Sequence, residues 1–290
     1  MLLTMFLFVS LDSLAKVMSA SFPPLQLVWA RYFFHALLVA VLIVPRGNVF
    51  RTKHLGLQVA RSTMIFAATF FYFSGLKFLP LAEATAILTL GPLLTVALAV
   101  PILGEQASLQ RWVGVGCGLV GALIVIRPGL GVLHWAAIFP VMAAVCYGGY
   151  QVLTRYLAPH DQPLTSLAYS AVGGAIVASL VAPFDWVWPE PVDWLALVSL
   201  GVVGALGQYA VVRAWSAAPA RVLAPFNYTN LIWAVIFGYL LFDQLPDVWT
   251  GVGAAIIVAS GLYVMHRERM TSREHVHRSP TDGERFATDD

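Results

Sequence analysis

Long apolar runs separated by short polar or Pro/Gly-containing breaks recur along the chain, and ten of them are long enough to matter. Crossing roughly 30 Å of hydrocarbon at about 1.5 Å per residue takes about 20 mostly apolar residues in a helix. The runs cover residues 2–20, 25–44, 55–78, 81–103, 109–126, 135–157, 164–182, 194–215, 220–242 and 248–266. They are continuous, unlike the ten-residue alternating segments of a membrane barrel, so the pattern predicts helical spans. The short breaks predict antiparallel packing of successive helices. The first run has no basic leader and holds Asp12 and Lys16, unlike a cleavable signal peptide, and is read as a retained helix.

The polar positions add orientation. With the first residue inside the cell, the cytoplasmic breaks and tail collect most of the basic residues, from Arg46, Arg51 and Lys53 to Arg267, Arg269 and Arg273. The outer breaks receive Lys77 and Arg127, and the longest outer one is acidic, with Asp185, Glu190 and Asp193. This asymmetry predicts that both termini lie in the cytoplasm of a multi-pass inner-membrane protein. Residues 267–290 turn abruptly to Arg, Glu, Ser, Thr and Asp and are expected to form a disordered cytoplasmic tail. Within it, His275 and His277 are read as solvated residues rather than metal ligands.

The second half of the pattern repeats the first. Lys16, Pro24 and Leu25 fall on Arg155, Pro163 and Leu164, Tyr72 on Tyr209, and Glu105 and Gln106 on Asp243 and Gln244, at nearly constant offset. Trp112, Gly114 and Gly116 fall in the same way on Trp249, Gly251 and Gly253. Each half, 2–127 and 134–266, holds an odd number of spans, so the second must insert upside down relative to the first. The expected fold is all-α and integral to the membrane, ten transmembrane helices in two inverted five-helix repeats. Inverted repeats around a central site characterise secondary transporters.

Composition sharpens this by exclusion. With 59% hydrophobic and 11% charged residues the chain cannot present an ordinary soluble surface, and its net charge of +2 implies no nucleic-acid partner. Cys117 and Cys146 fall within apolar runs and are read as small buried residues, with no metal or disulfide implied. The glycines of the fifth and eighth runs permit close helix approach and precede no nucleotide-binding Gly-Lys-Ser/Thr. His35, His54, His134 and His160 lie on different elements, so neither a catalytic constellation nor a cofactor site is expected.

Candidate chemistry lies in the polar residues inside the spans, where an ionisable group is costly and therefore a default functional candidate. Asp12 and Lys16, four residues apart, either neutralise each other or leave Asp12 for a substrate amine or a proton. Arg31 pairs in register with His35, beside Trp29 and Tyr32, and an unpaired guanidinium there could take a carboxylate or phosphate. Arg61, nearer a span end, is expected to snorkel to the interface. Thr85 and Thr89 precede Gly91-Pro92, and Asn227, flanked by Pro225 and Asn230, takes the corresponding place in the second half. Polar residues and proline in matching helices point to a central site. Tyr147, Tyr150 and Gln151, with Tyr72, Gln208, Tyr209 and Trp215, would give that site aromatic faces and neutral hydrogen-bonding groups. Trp135, Trp186, Trp188 and Trp194, at span ends, read as interfacial anchors.

The segment Leu79-Pro80-Leu81-Ala82-Glu83-Ala84, the Leu103-Gly104-Glu105 that closes the same span and the glycine-rich stretch from Trp112 to Gly121 resemble the drug/metabolite transporter superfamily, EamA type. In the second half the signature is degenerate, with Ala217-Ala218-Pro219-Ala220 and Leu241-Phe242-Asp243 in its place. The resemblance implies a transporter whose cavity is lined by spans 1, 3, 4, 6, 8 and 9, with 5 and 10 peripheral. It leaves the cargo among amino acids, nucleotide-related compounds, riboflavin, opine-type metallophores and drugs. Coupling to a proton or another ion and assembly as a homodimer are compatible with it, and the alternatives are a non-transporting scaffold, a channel or an intramembrane enzyme.

Overall fold

The computed structural model describes residues 1–42, 47, 49–104, 109–127, 135–217 and 223–277, and of 42, 215–217, 224, 225 and 268–277 it describes the backbone alone. Every regular element among the described residues is helical. The helices are α1 (Leu2–Met18), α2 (Pro24–Leu42), α3 (Leu55–Leu76), α4 (Leu81–Leu88), α5 (Gly91–Leu103), α6 (Leu109–Ile126), α7 (Ile138–Leu157), α8 (Pro163–Val181), α9 (Asp193–Ala217), α10 (Thr229–Phe242) and α11 (Val248–His277). Short 3₁₀ turns occupy Trp135–Ala137, Ala182–Asp185 and Ala224–Tyr228.

Eight helical stretches among the described residues are long and apolar enough to cross a membrane, and Phe226–Phe242 forms a shorter apolar helix. α1 has 17 residues and carries Asp12 and Lys16 within an otherwise mostly apolar run. The fourth run is counted as one stretch, Leu81–Leu103, but its helix breaks at Thr89 and Leu90. Proline causes the break: Pro92 has no N–H to return to the Leu88 carbonyl, and its ring disfavours helical continuation. Thr89 closes α4: its backbone N–H and its hydroxyl both donate to the Thr85 carbonyl, at 3.0 and 2.6 Å. A 3₁₀ turn with Pro225 at its start precedes α10 in the second half.

α11 continues to His277, past the boundary at 266 expected from composition. Its apolar part nucleates the helix, and Arg, Glu and Met then propagate it at little cost because only local hydrogen bonds are needed. Of the tail expected at 267–290, residues 278–290 lie outside the described residues. Cys117 corrects another expectation: it is exposed on α6 instead of buried.

Packing fixes where a cavity can form. α1 lies on α9 and α10, α2 on α8 and α9, α3 on α7 and α8, α5 on α7, α4 on α10, and α6 on α11. The crossing of α6 and α11 needs glycine on both sides: a Cβ on Gly253 would stand 2.5 Å from the Gly121 carbonyl oxygen. Close backbone approach of this kind holds helices together without a water-driven hydrophobic effect. Their other faces leave Leu109, Leu123, Val248 and Val252 exposed, as a lipid-facing surface would. Leu11, Leu27, Phe73, Leu76 and Leu81 fill the interior between α1, α2, α3 and α4. One tie between helix ends is ionic: Arg127, just after α6, bonds Asp247, which also accepts the Thr250 backbone N–H at 2.8 Å to cap α11.

Candidate functional site: a central polar cavity

A cavity of about 200 Å³ opens where these helices meet. From α1 it is lined by Met5, Phe8 and Asp12, which recur at helical spacing on one face, and Met1 extends it toward one end. α2 contributes Arg31, and α3 contributes Ile65, Ala68, Thr69 and Tyr72. The break in the fourth run supplies Leu88, Thr89 and Pro92. α7 presents Tyr147, Tyr150 and Gln151, α9 presents Gln208 and Val211, and the turn into α10 adds Asn227, Tyr228 and Asn230. α6 and α11 add no lining residue, as the resemblance implies, whereas the contribution of α2 was not part of that expectation.

Ten of the polar residues singled out in the sequence therefore share one cavity: Asp12, Arg31, Tyr72, Thr89, Tyr147, Tyr150, Gln151, Gln208, Asn227 and Asn230. Thr85 stands just behind the wall, fully buried. Its hydroxyl donates to the Leu81 carbonyl at 2.7 Å and so accepts from the Tyr72 hydroxyl at 2.9 Å, which fixes that ring. Tyr209 is placed elsewhere, 47% exposed on the outside of α9. A helix turns about 100° per residue, so its neighbour Gln208 takes the inward position instead. The side chain of Trp215 lies outside the described residues.

The aromatic wall is ordered by close packing. Gly91 allows Tyr147 to lie against the helix break, where a Cβ would meet its Cδ1 at 2.7 Å. Tyr147 and Tyr150 have ring centroids 5.8 Å apart, and the Gln151 amide donates to the Tyr147 hydroxyl at 3.2 Å. At the opposite wall, Asn230 Oδ1 and the Tyr228 hydroxyl are buried with no hydrogen-bond partner among the described residues.

The charged residues depart from two expectations. Lys16 does not neutralise Asp12. It donates to the Leu76 and Leu79 carbonyls at 3.0 and 2.5 Å and lies over the Phe242 ring. The end of α3 leaves carbonyls unsatisfied and carries partial negative charge, so an ammonium is drawn there. Arg61 does not snorkel: it is 4% exposed and donates to Thr154 Oγ1, the Ser166 carbonyl, Ser170 Oγ and the Tyr150 hydroxyl at 2.7 to 3.0 Å. Neighbouring acceptors on α7 and α8 offer it a better position than an interface one and a half turns away. Asp12 is 7% exposed and, like Arg31, makes no hydrogen bond within the described residues. Arg31 is half-buried over the rings of Tyr32 and Phe73, at 5.8 and 5.6 Å. His35 is buried with Nε2 unpartnered among the described residues and forms no part of the cavity.

A second polar cluster lies at the helix ends, outside the spans. Asp161 accepts from Thr52 Oγ1 at 2.7 Å and from Gln58 Nε2 at 2.8 Å, and His54 and His160 stack edge to face beside it. Burial opposes ionisation of Asp161, but those two hydrogen bonds and the adjacent imidazoles hold its carboxyl below the usual carboxylate range. No group of three or more metal-ligating side chains occurs among the described residues.

Sequence reasoning did not single out Met5, Phe8, Thr69 or Tyr228. Met5 and Phe8 share the helix face of Asp12, and Thr69 that of Tyr72, so extending each polar residue's face by one or two turns would have found these three.

The EamA-like transporter family matches twice, at residues 1–127 and 134–265. The chain is 27% identical over 259 residues to the S-adenosylmethionine uptake transporter of Rickettsia prowazekii, covering 89% of this chain and 88% of that one. It is 30% identical over 258 residues to the riboflavin transporter of Brucella anthropi, with 87% and 91% covered. It is 25% identical over 260 residues to the pseudopaline exporter of Pseudomonas aeruginosa, with 89% and 92% covered. A crystal structure with 23% identity superposes with a TM-score of 0.66, over 93% of this chain and 97% of that one, and so shares the fold.

Proposed function

Because the chain belongs to the EamA-like transporter family, a branch of the drug/metabolite transporter superfamily, we propose that it is a secondary transporter carrying a small organic metabolite across the cytoplasmic membrane by alternating access. It is a multi-pass membrane protein and not an enzyme. The observation that carries the proposal is the cavity, where charged, amide and phenolic groups from both matched segments converge inside an otherwise apolar bundle. Such groups are costly in a membrane unless something polar meets them, and a cargo that enters and leaves is what does so.

The architecture proposed is ten spans in two inverted halves, with α4 and α5 together forming the fourth span and both termini in the cytoplasm. Its support is in the packing. Exchanging each span for its counterpart five spans later turns α1 on α9 into α7 on α3, α2 on α9 into α8 on α3, and α1 on α10 into α7 on α5. The pairs α2 with α8 and α6 with α11 map onto themselves. A scaffold related by such an exchange has two similar basins, one open to each side, as alternating access requires. In this orientation Met1 extends the cavity toward the cytoplasm, and Lys16 ties α1 to the end of α3 on the opposite side.

The relatives' cargoes, S-adenosylmethionine, riboflavin and pseudopaline, define the first panel to test. The purified chain, reconstituted into vesicles, is expected to move at least one small organic metabolite saturably and in exchange for unlabelled cargo. Absence of saturable flux across a broad metabolite panel, from a protein that binds those metabolites, would refute transport.

A further inference from the structure

We infer that the Asp12 and Arg31 end of the cavity receives the ammonium and the carboxylate of a zwitterionic cargo, with the remainder of the cargo lying along Tyr147, Tyr150 and the cavity amides. The inference rests on the transport reading and narrows its cargo to molecules bearing an α-amino acid group or its equivalent.

Four observations lead to it. Asp12 and Arg31 line the same cavity. They also lie at matching depth: Asp12 is six residues from the end of α1 at Met18 and Arg31 seven from the start of α2 at Pro24, each about 10 Å at a helical rise of about 1.5 Å per residue. Neither is consumed by the protein. No salt bridge within 4.0 Å joins them, neither has a hydrogen-bond partner among the described residues, and Lys16 has turned away to the carbonyls of α3. Finally, Arg31 is held without using its donors. Its stem runs past Gly204, where a Cβ would stand 3.7 Å from Arg31 Cγ, and its guanidinium lies over the Phe73 and Tyr32 rings, contacts that use none of its N–H donors.

Two opposite charges left open to one cavity select their ligand by elimination. With a neutral solute the two have only their mutual attraction at a distance and no hydrogen-bonded partner, an anion leaves Asp12 and a cation leaves Arg31; a zwitterion satisfies both, and a guanidinium fork fits a carboxylate with two parallel hydrogen bonds. The phenols and amides further along then set what the rest of the molecule must be: flat, or rich in hydrogen-bonding groups.

The test is equilibrium binding to the full-length protein in detergent. L-tryptophan, L-methionine and S-adenosyl-L-methionine are each compared with the same molecule lacking its carboxylate. At least one parent should bind at least about tenfold more tightly than its decarboxylated form, since a hydrogen-bonded charge is at stake. Arg31→Gln should remove that preference, and Asp12→Asn should weaken parent and decarboxylated form alike. Melting temperature and gel-filtration profile establish that each variant is folded, with Asp12→Glu and Arg31→Lys as substitutes where it is not. The assignment is overturned if no parent binds, or if the preference for the carboxylate persists in Arg31→Gln. The expected binding pattern without vesicle flux would leave the assignment standing and sink transport; flux of an uncharged metabolite with no zwitterion bound would do the reverse.

Discussion

Arg31 and Arg61 sit on adjacent helices of an apolar bundle, and the sequence separates them only by depth, Arg61 lying nearer a span end. Their surroundings differ in every respect that matters. Arg61 is enclosed, with four hydrogen bonds to α7 and α8 and the Tyr150 ring 4.6 Å from its charge. Arg31 is half-buried, stacked on two rings and without a hydrogen-bond partner among the described residues. Depth marked Arg31 as a candidate and Arg61 as a residue that snorkels, but it is partners that separate a charge that fastens the protein from one left for a ligand. The two are also linked: Tyr150, which lines the cavity, takes its position from Arg61.

The most forceful way to break this comparison is to remove the enclosed charge. Arg61→Leu removes the hydrogen bonds to Thr154 Oγ1, Ser170 Oγ, the Ser166 carbonyl and the Tyr150 hydroxyl, and should lower unfolding stability in detergent by about 3 kcal/mol. Arg31→Gln, read in the same unfolding experiment, should change it little. Equal losses from the two would erase the distinction. A smaller effect checks that stability elsewhere rests on backbone approach: Gly253→Val, whose Cβ would collide with the Gly121 carbonyl and Val125 Cγ2, should cost about 2 kcal/mol by forcing α6 and α11 apart.

Asp161 gives a weaker and pH-dependent contrast. Its carboxyl is held below the usual range in the folded protein, so its contribution is present above the unfolded carboxylate pKa and disappears as pH falls through the folded one. Asp161→Asn should therefore lose under about 1 kcal/mol at neutral pH, because the site is largely solvated, and the gap to the parent should close in acid. A gap that widens in acid would show the sign to be wrong. The smallest effect belongs to Tyr209→Phe. On the outer face of α9 it should leave flux unchanged, and a clear loss would return Tyr209 to the site.

Much of the fold was legible because lipid imposes a simple rule: a backbone that cannot bond water must bond itself, so span positions follow from apolar run length. The run at 109–126 matches α6 residue for residue. The break in the fourth span was less legible, since Gly91-Pro92 announces a disturbance without saying whether the helix bends or stops. Polar residues in the spans pointed to the cavity, and ten of those named line it. What periodicity could not supply was the competition for each charge. Asp12 and Lys16 are in register to pair, yet the carbonyls at the end of α3, distant in sequence, take Lys16. Arg61 is near enough to an interface to snorkel, yet α7 and α8 bring acceptors that no local pattern reveals. Tyr209 was misplaced because the offset between the two halves drifts by a residue or two, and one residue is enough to turn a side chain from cavity to lipid.

The central claim is that this cavity is where cargo is carried, and vesicle flux tests it most directly. A metabolite that binds the purified chain is loaded into vesicles containing the parent protein, Asn227→Ala or Tyr147→Ala at matched amounts of folded protein. The parent should exchange it saturably, and both variants should exchange it at least about tenfold more slowly, each having lost a hydrogen-bonding or aromatic contact in the cavity. Undiminished flux in both variants would contradict the account.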